Sequence, residues 1–455
     1  MGLPTLTPHQ DDAVCDAKEW YAESSAGGVL ERPDYYLAGY AGTGKSTILP
    51  AIVDGTGVHP DNIEFVAPTG KAAKVMTEKL KQAGIERRAR TIHSLIYRPR
   101  PLKAEVLEKQ LRALKDQRTN ILQDIHESGD MSPEELVDWR RNPRLVEIDT
   151  TIAITEKDLD KAYDLSEGPK FQLNVDSDIR KAKLLVCDEA SMVGSTIADD
   201  LRSFGIPILV MGDPGQLQPV GDAPGFTDRA PDFFLSEIHR QAKDNPIIAL
   251  ATMVREGKFL KAGKMGGGVE IVDRIRDTAT YDQNREAQII VGTNKRRWMV
   301  TSKLRKVLGY NSTGPCAGEP LLICKNSRNV PDLVNGTFVN CVHDAGFLEE
   351  GHDSFKLLIE DEFGVQRSVL AYQGMFEEHT LLKKGAATAP KNQAFRARID
   401  SEHVDWGWAI TCHKSQGSQW DDVILHDESA VFKDEWMKWL YTGVTRAAKR
   451  LTVVL

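Results

Sequence analysis

DYYLAGYAGTGKST, residues 34–47, is an apolar run that ends in a glycine-rich loop, then a lysine and a serine. The apolar run predicts a short buried strand, and the residues from Lys45 to Val53 predict a helix. Between them Gly39–Ser46 fits the pattern GxxxxGK[ST] in full, in the strand–loop–helix context that the pattern requires. Glycines let such a loop curl so that backbone N–H groups point at phosphate oxygens, and the helix start adds a favourable dipole. On this reading Gly42, Thr43, Gly44, Lys45, Ser46 and Thr47 cradle a nucleoside triphosphate. Lys45 neutralises its β- and γ-phosphates, and Ser46 is a ligand of Mg²⁺.

Working outward, TLTPHQDDAV predicts a helix capped by Thr7 with Pro8 in its first position. IEFVAP and GKAAKVMTEKLKQAG predict a second strand and a second helix, so the unit is a parallel α/β sheet. LLVCDEASMV, residues 184–193, is an apolar strand that ends in Asp188-Glu189. Carboxylates at that strand end lie beside the phosphate loop in such sheets, so Asp188 is expected to hold Mg²⁺ and Glu189 to polarise the attacking water. IPILVMG continues the sheet.

Residues 98–170 read as a charged, mostly helical insertion. Leu107, Leu111, Leu114, Ile121 and Ile125 fall near one helical face, and Ser132–Glu135 forms a capping box. Its plainest form is a solvated hairpin that packs on itself. A second α/β block opens at AQIIVGT, gives way to short strands over about 314–390, and returns from WGWAITCHKSQG to the end. The short strands predict a small β-barrel or sandwich.

The chain has 455 residues, enough for roughly three domains. Its net charge of −8 excludes binding to nucleic acid by bulk charge and leaves room for a local basic groove. The six cysteines include no CxxC pair and no zinc-like spacing with histidine, as expected for reduced thiols. No signal-peptide core, myristoylation pattern or membrane-length apolar run is present. A soluble, cytoplasmic protein is expected, with no membrane partner.

Several further segments decide which kind of NTPase this is: TPHQ (7–10), APTGKAAKVM (67–76), TIHSL (91–95), DEASMV (188–193), GDPGQLQPV (212–220), EIHRQ (237–241), TNKRR (293–297), TCHKSQGSQW (411–420) and LYTGVTRA (440–447). In this order and at these separations the chain resembles the superfamily 1 DNA helicases of the B branch, the RecD-like, Dda-like group. The resemblance implies two RecA-like parallel-sheet motor domains, with a mainly helical insertion in the first and a small SH3-like β-barrel insertion in the second. The expected parts are 1–97, 98–171 (insertion) and 172–230 for the first motor domain, then 231–312, 313–399 (insertion) and 400–455 for the second.

The same resemblance implies ATP and Mg²⁺ as cofactors. It gives Gln10 the adenine edge, Gln216 the γ-phosphate and water, and Arg240 and Arg446 the part of arginine fingers. Pro68, Thr69, His93, Thr293, Asn294, Thr411, His413 and Lys414 fall along the DNA track. The implied activity is 5′-to-3′ translocation on single-stranded DNA and unwinding of forked duplex by a monomer. Replication or recombination proteins are the implied partners, and a phage or prophage the implied setting. An RNA-directed helicase of the same branch and an ATP-switched binder that does not unwind are the rival readings. Phe171 and Tyr97 are candidates for the strand-separating wedge. Trp406 and Trp408 alternate as on a strand, and packing in a core is favoured for both over stacking on a base. Two positions depart from the family pattern. Gln419 stands where an acidic residue usually contacts ribose, and Gln218 stands where proline is usual.

Overall fold

The computed structural model describes residues 6–26, 32–99, 103–127, 142–164, 171–237, 244–273, 287–327, 330, 333–346, 353–376 and 400–455. The first half opens with α1 (Pro8–Ala26), β1 (Asp34–Gly39), α2 (Lys45–Gly55), β2 (Ile63–Ala67) and α3 (Gly70–Gln82). Next come β3 (Arg90–Thr91), α4 (Ile92–Ile96), β4 (Tyr97–Pro99), α5 (Lys103–Glu127), α6 (Pro143–Asp164) and β5 (Phe171–Leu173). It closes with β6 (Leu184–Cys187), α7 (Ser195–Arg202), β7 (Ile208–Gly212) and β8 (Phe233–Leu235).

Six of these strands form a parallel sheet in the order β3-β2-β6-β7-β1-β8. Every residue of β1, β6 and β7 is buried, because helices cover both faces. Trp20, Ile48, Ile52 and Met76 from α1–α3 pack on one face, and Ile92, Leu95, Ala198 and Leu201 from α4 and α7 on the other.

The insertion is a pair of long helices, and among the described residues its buried side chains cluster with one another. Ala104, Leu159 and Ala162 form one small core, and Ile121, Leu145, Ile148 and Ile152 another. It is therefore a self-packed hairpin, tied at its base by antiparallel pairing of β4 with β5. The capping box at 132–135 and the side chain of Ile125 lie outside the described residues.

The second half begins with α8 (Pro246–Arg255), β9 (Gly263–Gly266), β10 (Val269–Val272), β11 (Gln288–Val291) and α9 (Asn294–Val307). It continues through β12 (Pro320–Ile323), β13 (Phe338–Cys341), β14 (Ser354–Glu360), β15 (Gln366–Tyr372) and β16 (Val404–Trp406). It ends with β17 (Ala409–Thr411), α10 (Cys412–Ser415), β18 (Trp420–His426), α11 (Trp436–Val444) and β19 (Ala447–Val454). The order β17-β11-β18-β19-β10-β9 makes a second sheet, parallel except for β9. The strands β15-β14-β13-β12-β16 form an antiparallel sheet, and a bridge between Ala371 and Glu402 closes it on itself. β8 pairs with β1, so the first sheet runs past residue 230, and β16 pairs with β12, so the antiparallel sheet runs past residue 399.

Trp406 and Trp408 are both core residues, 1% and 8% exposed. The indole of Trp408 donates to the Glu319 carboxylate at 2.9 Å. Glu319, fully buried, also accepts from the Arg305 guanidinium at 2.7 Å and the Cys316 amide at 2.8 Å. That carboxylate joins α9 to the start of the antiparallel sheet with its lone pairs satisfied. Removing it strands a buried guanidinium, which costs about 3–5 kcal/mol. Glu319→Ala is expected to lower the thermal unfolding midpoint by several degrees, read by circular dichroism. An unchanged midpoint would contradict this assignment.

Candidate functional site

Gly42 and Gly44 adopt φ of 80° and 88°, which only glycine holds without strain, and Gly44 starts α2. A Cβ at Gly39 would lie 2.6 Å from the Thr43 hydroxyl, so the loop is closed tightly on itself. The Thr43 hydroxyl donates to the Tyr40 carbonyl at 2.8 Å. The ammonium of Lys45 donates to the carbonyls of Gly39 and Tyr40, which places it inside the loop. Gln10 is 3% exposed and forms a capping box with Thr7, each side chain bonding the other's backbone N–H. Its amide N–H then donates to the Thr43 carbonyl at 3.3 Å, so α1 is fastened to the phosphate loop.

The carboxylates sit where the sheet order puts them. β6 and β7 lie between β2 and β1, and Asp188 and Asp213 follow directly at their carboxyl ends. Burial pushes the Asp188 carboxyl up, and the charge of Glu189 adds to this, while Lys79 and Lys45 oppose it. The N–H of Glu189 donates to Asp188 at 2.9 Å, and Glu189 itself has φ 53°. A non-glycine residue in this region is strained, and such strain gathers at active sites.

Ser46 and Asp188 line one small cavity with Lys79, whose ammonium donates to the Ser46 hydroxyl at 3.0 Å. A hydroxyl and a carboxylate facing one cavity are hard oxygen donors of the kind Mg²⁺ takes alongside phosphate oxygens, so these residues fit the ion. Gln216 is 6% exposed, and its side-chain oxygen has no hydrogen-bond partner among the described residues. A buried acceptor left unpaired costs about 1–3 kcal/mol, which a bound water would recover.

Residues of the second domain, two of them on α11, meet this site. The Tyr441 hydroxyl accepts from the Ala41 N–H at 2.9 Å and donates to Asp213 at 2.8 Å. Burial pushes the Asp213 carboxyl up, opposed by Lys45 and by the Tyr441 hydrogen bond. Leu217, fully buried, packs in the second domain's core; its N–H donates to the Thr442 hydroxyl at 2.9 Å, and its carbonyl accepts from Gln416 at 3.0 Å. The Arg255 guanidinium lies 3.6 Å from the centroid of the Tyr40 ring. Arg446 is buried, and its guanidinium donates to the carbonyls of Thr442 and Ser418 and to the Thr445 hydroxyl. Arg240 lies outside the described residues. Of the two positions that depart from the family pattern, Gln419 is exposed, while Gln218 accepts from the Thr227 hydroxyl at 2.9 Å, a bond that proline could not make.

The expected nucleic-acid residues share one local design. Thr69, Thr91, Thr293 and Thr411 each cap the helix that follows a strand, accepting the N–H of Ala72, Ser94, Arg296 and Lys414. Those strands, β2 beside β3 and β11 beside β17, are neighbours at one edge of each sheet. Free N–H groups and hydroxyls at such helix starts bind phosphate without reading sequence. Pro68 is half-buried beside Thr69, and Gly417 packs against Thr69 and Ala72. The Glu428 carboxylate accepts from the N–H and hydroxyl of Thr293, and Asn294 accepts from Arg297 at 3.1 Å.

His93 and His413 are half-buried, and burial lowers the pKa of both. Lys414 is exposed, with its ammonium 3.3 Å from the Cys324 sulfur. Tyr97 donates to Asp200, whereas Phe171 is half exposed with its ring against His93. Sequence reading passed over Tyr441, Thr442 and Asp213, although all three lie inside quoted segments. Arg255 and Lys79 carried no motif signal.

Fold and site together define a nucleotide-driven motor, with its phosphate loop at the junction of two parallel-sheet domains. The AAA domain family model matches residues 28–273, more than half of the chain, and the UvrD-like helicase C-terminal domain matches residues 407–454. The ATP-dependent DNA helicase dda of Enterobacteria phage T4 is 24% identical over 341 residues, which cover 62% of this chain and 77% of that one. The uncharacterized protein MJ1519 of Methanocaldococcus jannaschii is 38% identical over 84 residues, 18% of this chain and 7% of that relative's length. Among solved structures, the Pif1 helicase from Candida albicans covers 99% of this chain and 94% of its own at 16% identity and a TM-score of 0.46. Bacteroides Pif1 bound to ssDNA covers 99% and 92% at 17% identity and a TM-score of 0.49. The chain belongs to the AAA domain family, and the two family models together support a helicase of superfamily 1B.

Lys45→Ala is expected to abolish ATP turnover, while binding of labelled single-stranded DNA persists. Undiminished turnover in a coupled assay would contradict the phosphate-loop assignment.

Proposed function

We propose that this chain hydrolyses ATP to move 5′-to-3′ along single-stranded DNA and to open duplex at a fork, working as a monomer. The observation that carries this reading is the shared strand ends. Across the first sheet Thr91, Thr69, Asp188, Asp213 and the phosphate loop follow one another, so the DNA edge and the nucleotide edge belong to one rigid layer. Similarity to the T4 ATP-dependent DNA helicase supports DNA as the substrate, and the resemblance to the B branch supports the direction.

In this mechanism Gln10 meets the adenine edge, and Lys45 turns from its loop carbonyls to the β- and γ-phosphates. Ser46 and Asp188 hold Mg²⁺, which when bound neutralises phosphate charge. Glu189 takes the proton of the attacking water, and Gln216 orients that water with its unpaired oxygen. Arg446, with Arg240, stabilises charge on the transferring phosphoryl group, a large catalytic contribution in related NTPases. The threonine-capped turns of the two sheets grip successive phosphates, and a change in the cleft moves one grip relative to the other. Phe171, exposed at the base of the helical hairpin, parts the strands in this reading.

The test uses duplexes with a single-stranded tail at only one end. Unwinding from the 5′ tail alone is expected, and unwinding from the 3′ tail alone would overturn the direction. Phe171→Ala is expected to slow strand separation at least tenfold, with single-strand-stimulated ATPase within about twofold of normal. Unwinding that survives intact would remove Phe171 from the wedge.

A further inference from the structure

At Tyr441 the second domain touches the phosphate loop by a hydrogen bond. Its side chain is 2% exposed, 400 residues away in sequence from the loop it meets. The hydroxyl is fully used, accepting from the Ala41 N–H at 2.9 Å and donating to Asp213 at 2.8 Å. The ring fits closely too. A Cβ at Gly215 would lie 3.0 Å from it, and Tyr40 meets it edge-on with centroids 6.3 Å apart.

The next residue makes a second tie across the same junction, because the Thr442 hydroxyl accepts from the Leu217 N–H at 2.9 Å. The backbone carbonyl of Thr442 accepts from Arg446 at 3.0 Å. Arg446 is therefore carried by the residue pair that grips the first domain. Gln216, with its unpaired oxygen, lies between the gripped residues Asp213 and Leu217.

We propose that Tyr441 is a positioning residue for ATP hydrolysis. Its hydroxyl fixes the phosphate loop and the Asp213–Leu217 loop against the end of α11, and so sets the reach of Arg446 toward the γ-phosphate. The proposal rests on the arginine-finger reading of Arg446 above. Tyr441 itself spends its hydroxyl on Ala41 and Asp213 and acts through Arg446.

Tyr441→Phe keeps the ring and deletes both hydrogen bonds. With saturating single-stranded DNA, its kcat for ATP is expected to fall about tenfold, the size of one lost charge-assisted tie. KM for ATP stays at the wild-type value while kcat falls, a split that a merely structural role would not produce. Thr442→Val deletes the neighbouring tie and is expected to show the same kcat-only loss, which serves if Tyr441→Phe folds poorly. Combined with Arg446→Ala, Tyr441→Phe is expected to add less than twofold, since it acts through that residue. A wild-type kcat in Tyr441→Phe beside a slow Arg446→Ala would overturn this proposal alone. So would a full further tenfold loss in the double variant. A wild-type kcat in Arg446→Ala would instead overturn the arginine-finger reading.

Discussion

Leu217 belongs in sequence to the first domain and in space to the core of the second. Its side chain is fully buried there, and both its backbone polar groups are taken by second-domain side chains, Thr442 and Gln416. Burial of a leucine contributes about 1.5–3 kcal/mol, and leaving its buried amide unpaired would cost about as much again. The loop that carries Gln216 therefore cannot shift without moving the second domain, or losing these contacts. A motor needs such a joint, because a change at the phosphates has to appear as a displacement elsewhere.

What is displaced follows from the sheet topology. Parallel strands present their carboxyl ends, and the helix starts that follow them, on one side of a sheet. In the first sheet that side carries two threonine-capped turns at one edge and the phosphate loop toward the other. The second sheet carries Thr293 and Thr411 at the ends of two adjacent strands. The antiparallel sheet adds a third contact near the same place, with Val334 against Gly70 and an ion pair between Lys74 and Glu362.

Much of this was legible in the sequence because it is local. The phosphate loop is a strand, a glycine turn and the start of a helix within fourteen residues, and β1 and α2 form where the apolar run and Lys45 predict. The helical insertion also follows from its own periodicity, since its residues pack on each other. The long-range pairings were not legible. Three residues of β8 join the first sheet through β1, about 195 residues away, and β16 joins the antiparallel sheet through β12, about 80 residues away. Tyr441 meeting Ala41 and Lys79 meeting Ser46 depend on how separate elements pack, which no spacing records.

In the proposed mechanism, nucleotide chemistry and the DNA track are thus mechanically joined. The direct measurement of that joint is the steady-state ATPase rate of the full chain, with and without single-stranded DNA. Strong stimulation, carried by kcat, is the predicted result. Turnover that is the same in both conditions would contradict the coupling.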